Sequence, residues 1–230
     1  RMQKKVAPKI NNIVTPSQSS KKGIIEEFKC KSSSITVINN GLDAQEFCPI
    51  PNSTRNKNRL ITTASADVPL KGLDYSLKAL KLLKKDNPKM HLVVIGNYKK
   101  NGHTERLIKK LGIEQDVIFK KNISKDEIKK LYSSSSIAIV SSLYEGFGYP
   151  VIEAMSCEVP IIATNVSSIP ELVSDFGTLI EPKNENQLKR SIIKVMQNYD
   201  HFKDIAIKGR QHVIETFNWS KITSEYERII

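Results

Sequence analysis

"SIAIVSSLYEGFGYPVIEAMSCEVPIIAT", residues 136–164, holds a complete structural unit. Ser136 to Val140 is apolar without alternation, as a strand buried on both faces has to be. Glu145-Gly146-Phe147-Gly148 breaks that run, and Pro150 suits the first turn of a helix over 150–157. A second apolar run, 160–164, follows at once. Strand, helix and strand at these lengths make a parallel pair joined by a helical crossover.

The same unit recurs along the chain. Strands are expected at 59–64, 90–96, 116–119, 136–140, 160–164 and 177–180, with helices near 73–86, 103–111, 125–133, 150–157 and 185–198. Ser124-Lys125-Asp126-Glu127 is a capping-box sequence for the third of these helices. The pattern predicts an α/β fold with a doubly wound parallel sheet over residues 51–200. Residues 1–50 contain one further strand and helix and then a linker, read as the remnant of a preceding domain. The chain opens Arg1-Met2-Gln3-Lys4, which reads as a piece of something longer. Residues 201–230, with Phe202, Ile205, Val213, Phe217 and the stretch from Trp219, are helical with no strand between them.

Composition narrows the function. The chain has 230 residues, 39% hydrophobic and 26% charged, ordinary values for a water-soluble globular fold. No apolar run reaches membrane-span length, and the first residues lack a secretory core. Cys30, Cys48 and Cys157 are odd in number and far apart, which fits reduced thiols in a cytoplasmic protein and no zinc site. His91, His103, His201 and His212 share no metal-ligand spacing. The net charge of +12 is mostly lysine. In residues 75–86 the lysines fall between Leu77, Leu80 and Leu83, as they do on a solvated helix face. No aromatics alternate with the basic residues, so no nucleic-acid partner is expected. Peripheral attraction to an anionic membrane is the one surface contact that the charge supports.

In a parallel sheet, ligands bind beyond the carboxyl ends of the strands. Gly146 and Gly148 let a backbone approach a ligand, and the helix that follows presents free N–H groups suited to phosphate. Glu145 and Glu153 accept hydrogen bonds and therefore suit hydroxyls. Lys71, ahead of the helix from 73, adds a point charge for phosphate. Hydroxyls at both ends and phosphates between them describe a nucleotide sugar.

The segments "ITVINNGLDAQEF" (35–47), "TTASADVPLKGLDYSLKAL" (62–80), "HLVVIG" (91–96), "ERLIKKLGIEQDVIF" (105–119) and "SSLYEGFGYPVIEAMSCEVPIIATNVSSIPELV" (141–173) occur in this order. They resemble the carboxy-terminal, nucleotide-sugar-binding domain of family 4 retaining glycosyltransferases, over about residues 10–230. The resemblance implies the GT-B fold, two Rossmann-like domains facing across a cleft, of which this is the donor-binding half. It implies hexose transfer from a nucleoside-diphosphate sugar to a sugar or lipid-linked acceptor held by the missing amino-terminal domain. Lys71 and Glu145 become the catalytic residues, Lys71 on the diphosphate and Glu145 on the hexose. Glu153 takes the ribose, and Gly146, Phe147, Gly148, Tyr149 and Val151 line the sugar and diphosphate. Asn122 and Ile123 take the base. No metal and no other cofactor is implied.

Two residues depart from the family pattern. The family's second phosphate cation, an arginine, falls here on Ser65 or Ala66, and Arg59 is too far back in its strand to replace it. Glu158 stands where a glycine is commoner. Two other readings stay open: another GT-B relative, such as a sugar-nucleotide epimerase or a sucrose- or starch-type synthase, and a basic membrane- or nucleic-acid-binding module.

Overall fold

A computed structural model of the chain describes residues 2–229. Arg1 and Ile230, the outer ends of the ranges 1–50 and 201–230, lie outside the described residues. The amino-terminal unit runs α1 (Met2–Val6), β1 (Ile13–Thr15), α2 (Gln18–Phe28) and β2 (Ile35–Val37). Its two strands pair parallel in a sheet of their own.

The main body alternates strands and helices. It comprises β3 (Asn56–Thr63), α3 (Leu73–Leu83), β4 (His91–Ile95), α4 (His103–Leu111), β5 (Val117–Lys120), α5 (Lys125–Ser133) and β6 (Ser135–Val140), followed by α6 (Tyr149–Ser156), β7 (Ile161–Thr164), α7 (Ile169–Val173), β8 (Thr178–Ile180) and α8 (Glu185–Gln197). Two helices close the chain, α9 (Tyr199–Thr216) and α10 (Trp219–Glu227). The sheet order is β5-β4-β3-β6-β7-β8, all neighbours parallel. Counted from β3, this is the 3-2-1-4-5-6 order of a dinucleotide-binding fold, and it reverses between β3 and β6.

Why the strands are apolar on both faces is visible in the packing. Leu60, Val94, Ile137 and Ile139 point to one layer, with Leu77 and Leu80 of α3, Ile108 of α4 and Leu188 and Ile192 of α8. Their neighbours Ile61, Val93, Ile95, Ala138 and Val140 point to the other layer, with Val151, Ile152 and Met155 of α6 and Leu172 of α7. The period of two along each strand therefore feeds both layers. Each buried aliphatic side chain contributes about 1.5–3 kcal/mol relative to exposure. All six residues of β6 and all four of β7 are buried, so both strands are covered by helices on each face. Each expected strand and helix of this body is present, with ends within three residues. The short helix α7, begun at the Ile169-Pro170 pair, was not anticipated.

The stretch before β3, read as a linker, is tied firmly to the helices. Leu42 and Phe47 are buried in the α6 layer. Leu42 N–H donates to Phe217 O at 2.7 Å. Arg210 of α9 donates to the carbonyls of Ala44 and Phe47, both at 3.1 Å. Arg55 donates to the carbonyls of Tyr132, Ser135, Cys157 and Glu158 at 2.8–3.1 Å, joining the carboxyl ends of α5 and α6. Glu158 follows the end of α6 with φ 55°, a left-handed conformation that favours glycine.

Candidate functional site

The loops on either side of the reversal point carry the chemistry. After β3 the chain reaches a 3₁₀ turn, Pro69–Lys71, and enters α3 through Gly72. Gly72 has φ +61°, and a Cβ there would lie 1.9 Å from Ser141 O. Only glycine permits that approach, which brings the loop after β3 against the loop after β6. Ser141 Oγ donates to Gly72 O at 2.9 Å, and Leu143 N–H donates to Leu70 O at 2.7 Å.

This arrangement places Lys71 Nζ 2.7 Å from Glu145 Oε1, 74 residues later. Ser142 Oγ donates to the same oxygen at 2.7 Å. The Glu145 backbone is fixed as well. Its N–H donates to Ser167 Oγ at 2.8 Å, and its carbonyl accepts from Ser168 Oγ at 2.8 Å. Gly146 O accepts from Ser17 Oγ at 2.8 Å and Ser20 Oγ at 2.9 Å, the N-cap and a first-turn residue of α2. Glu171 of α7 accepts from the N–H groups of Gln18 and Ser19 at 2.8 and 2.7 Å.

Gly148 opens α6 with φ 115°. The N–H of Val151 donates to Gly148 O at 2.9 Å, and the Val151 side chain is fully buried. Phe147 is buried against Tyr149 and Phe217, and Tyr149 itself is exposed. Gly146 has an ordinary φ, and the nearest atom to a Cβ there is Ser20 Oγ at 4.0 Å.

Glu153 lies further along α6, half-buried. Burial raises its carboxyl pKa to about 7, and the hydrogen bond from Tyr132 works against that rise. Tyr132 Oη donates to Glu153 Oε2 at 3.4 Å and shares a 3.0 Å hydrogen bond with Thr63 Oγ1 of β3. Tyr132 is buried to 1% exposure, and burial holds its phenol well above the ordinary range. Reading the sequence missed Tyr132 and the serines at 17, 142, 167 and 168. Tyr132 reads as one more apolar residue at a helix end, and isolated serines carry no spacing signal.

Asn122 and Ile123 follow β5. Asn122 is exposed with φ 53°, and Ile123 packs against the α6 layer that contains Tyr132. They therefore lie on the same side of the sheet as Glu153. Lys71 and Glu145 sit at the reversal point between the two layers.

The departures read from the sequence are resolved in part. Ala66 is buried, and Ser65 Oγ accepts from Asn97 N–H at 3.4 Å. Arg59 pairs in register with His91, the first residue of β4, and donates to Ser134 Oγ at 2.8 Å. That is the amino end of the strands, so Arg59 is remote from Lys71. Cys157 is buried, and burial pushes its thiol up to about 12, which makes it unreactive. Among the described residues no three His, Cys, Asp or Glu side chains gather as a metal site requires, and no helix is long and apolar enough to cross a membrane.

An all-parallel sheet in this order defines a Rossmann-like lobe of the kind found in GT-B glycosyltransferases. The chain belongs to the family described as Glycosyl transferases group 1, whose profile matches residues 46–212. It is 32% identical over 236 residues to the MMP alpha-(1->4)-mannosyltransferase of Mycolicibacterium hassiacum, an alignment covering 100% of this chain and 57% of that protein. It is 27% identical to the O-antigen chain mannosyltransferase B of Escherichia coli, over 68% of this chain and 42% of that protein. The chain thus spans little more than half the length of the first of these relatives. Among solved structures, Anabaena Alr3699/HepE in complex with UDP-glucose superposes with a TM-score of 0.86 at 20% identity, covering 98% of this chain and 66% of that one. Sucrose-phosphate synthase from Thermosynechococcus elongatus gives 0.85 at 20% identity, covering 98% and 60%.

Proposed function

We propose that the chain is the donor-binding, carboxy-terminal lobe of a family 4 retaining glycosyltransferase. It moves a hexose from a nucleoside-diphosphate sugar to a sugar or lipid-linked acceptor. The observation that carries this reading is the Lys71–Glu145 pair at the reversal point, with Glu153 behind it on α6. The relatives named as mannosyltransferases and the UDP-glucose in the Anabaena structure support the substrate class.

Each residue then has a task set by its chemistry. Asn122 and Ile123 take the base, and Glu153 accepts from the ribose hydroxyls. The diphosphate lies over the start of α6, against the backbone of Phe147, Gly148 and Tyr149, where Val151 fixes the turn by its bond to Gly148 O. Lys71 neutralises charge on the diphosphate as the bond to the hexose breaks, which is electrostatic stabilisation of the leaving group. Glu145 is held on Oε1 by Lys71 and Ser142, and its carboxylate accepts from hexose hydroxyls beside Gly146. Positive charge from Lys71 and the helix terminus serves the diphosphate without a divalent metal or other cofactor. Residues 1–50 form the end of an acceptor domain, residues 51–200 the donor domain and residues 201–230 the closing helices. The 230-residue chain alone binds nucleotide and transfers little. The setting is cytoplasmic, with peripheral contact to anionic membrane through surface lysines.

The test is calorimetric titration of the chain with UDP, GDP and ADP, with and without chelator. One nucleotide binding equally in both conditions supports the reading; binding that needs metal opposes it. Transfer assays on a longer protein containing this chain, with the product anomer read by NMR, then distinguish retention from inversion and transfer from epimerisation.

A further inference from the structure

Tyr132 touches Glu153 yet has no task in the donor reading itself. It is the last residue but one of α5, buried to 1% exposure, and lies 21 residues before Glu153. Its backbone is set by Arg55, whose guanidinium donates to Tyr132 O at 3.1 Å and to Cys157 O at 2.9 Å. Cys157 is one turn beyond Glu153, at the end of the same helix. One arginine thus ties the ends of α5 and α6 together and fixes the approach of the phenol to the carboxyl.

Proton counting gives the contacts of that phenol a direction. Tyr132 Oη has one proton and two neighbours, Thr63 Oγ1 at 3.0 Å and Glu153 Oε2 at 3.4 Å. An ionised carboxylate accepts and cannot donate. When Glu153 is charged, Tyr132 therefore donates to it, and Thr63 donates to Tyr132. When Glu153 is protonated the order can reverse, from Glu153 to Tyr132 to Thr63. Burial keeps the phenol itself protonated throughout. The 3.4 Å bond is long, and bonds of this kind often tighten once a ligand is in place.

The surroundings leave this contact without a rival. Tyr149 and Cys157, one turn to either side on α6, are held neutral at pH 7 by burial. Arg55, Arg210 and Cys48 stand near Cys157, and Tyr226 of α10 stands near Tyr149. Among the described residues no cation pairs with Glu153, and Tyr132 is its one hydrogen-bond donor. Its other oxygen, Oε1, accepts from none of them. Since no buried side-chain oxygen among those residues lacks a partner, Oε1 reaches solvent. That oxygen keeps two lone pairs, enough for the two adjacent hydroxyls of a ribose.

We propose that Tyr132, with Thr63 behind it, is a positioning residue for Glu153, drawing Oε2 inward and leaving Oε1 to the ribose. The inference rests on the donor reading of Glu153 and deepens it.

The test is nucleotide affinity against pH, by calorimetry with whichever of UDP, GDP and ADP binds. It compares the unaltered chain with Tyr132→Phe, Glu153→Gln and the double variant, alongside ¹³C NMR of the Glu153 carboxyl. Tyr132→Phe removes one oxygen and keeps the ring in the core. The midpoint at which affinity rises should move upward by about one pH unit, the lower end of what a hydrogen bond to a charged group supports. Affinity at pH 7 then falls about fivefold and is nearly unchanged at pH 9. In the Glu153→Gln background the same substitution should change affinity by less than about twofold at either pH, because the two residues act as one unit. An equal loss at both pH values, or the same loss in both backgrounds, would make Tyr132 a packing residue and overturn the inference. The unaltered chain supplies a second readout that needs no variant to fold. The buried Tyr132 hydroxyl proton should shift in step with the Glu153 carboxyl titration, and a proton that stays fixed would also overturn the inference. If the carboxyl midpoint moves in Tyr132→Phe while nucleotide affinity ignores Glu153→Gln, the contact is real but the donor reading of Glu153 fails and the ribose role falls with it.

Discussion

Lys71 Nζ and Glu145 Oε1 are 2.7 Å apart, and Glu145 is 9% exposed. The cation proposed for the diphosphate is therefore already neutralised before nucleotide arrives. Lys71→Ala should weaken nucleoside diphosphate binding by about 1.5–3 kcal/mol, the usual worth of a hydrogen bond to a charged group. Glu145→Gln should leave it unchanged or tighten it by a few tenths to about 1 kcal/mol, because the lysine is released. Calorimetry on both variants reads the difference. A Glu145→Gln loss as large as that of Lys71→Ala would reverse the proposed direction of the ligand.

Glu153 gives a pH signature. Its folded pKa of about 7 exceeds the ordinary 4.5, so the native state holds more protons than the unfolded state between these values. Stability therefore falls as pH rises from about 4.5 through about 7, by about 3 kcal/mol, and is flat beyond. Glu153→Gln should flatten that slope in urea melts. Nucleotide affinity should move oppositely, rising through pH 7 as the carboxylate forms, and the variant should lose that rise.

The glycines separate by position. Gly72→Ala places a Cβ 1.9 Å from Ser141 O in left-handed backbone and should cost at least about 2 kcal/mol of stability. Gly146→Ala meets nothing closer than 4.0 Å and should stay within about 0.5 kcal/mol. The donor reading adds that Gly146→Ala weakens binding of the complete nucleotide sugar more than of free nucleotide. Thermal melts and titrations with both ligands check the pair.

Glu158→Gly relieves a left-handed residue after α6 and should stabilise the chain by about 0.5–1 kcal/mol, despite the longer-range Arg210 contact at 3.8 Å. Differential scanning calorimetry would show a higher Tm; a lower one would mean that the Arg210 contact outweighs the backbone strain.

The sheet was legible because β4, β6 and β7 are apolar on both faces, and only a strand covered by helices on each side requires that. The loops at 65–72 and 141–148 were legible because glycine marks them. Their meeting was not, since it depends on strand order, which places β6 beside β3 and so brings Lys71 to Glu145 across 74 residues of chain. Tyr132 was hidden for a different reason. Its ring belongs to the core and its hydroxyl to Glu153, and a sequence displays only the first property. Leu42 and Phe47 were hidden by the prolines and polar residues that follow them, which read as linker although both side chains are buried.

The start of α2 is fastened at two points, by Glu171 on its N–H groups and by its own hydroxyls on Gly146 O. The loop beside Glu145 therefore cannot shift outward without loosening two serines of the amino-terminal unit. Mechanically, α2 is a follower resting on the loop. Hydrogen–deuterium exchange at Ser20, whose N–H is held by Ser17 Oγ at 3.0 Å, then records the loop's position from outside the crevice. An occupant that pins Gly146 would slow that exchange without touching α2.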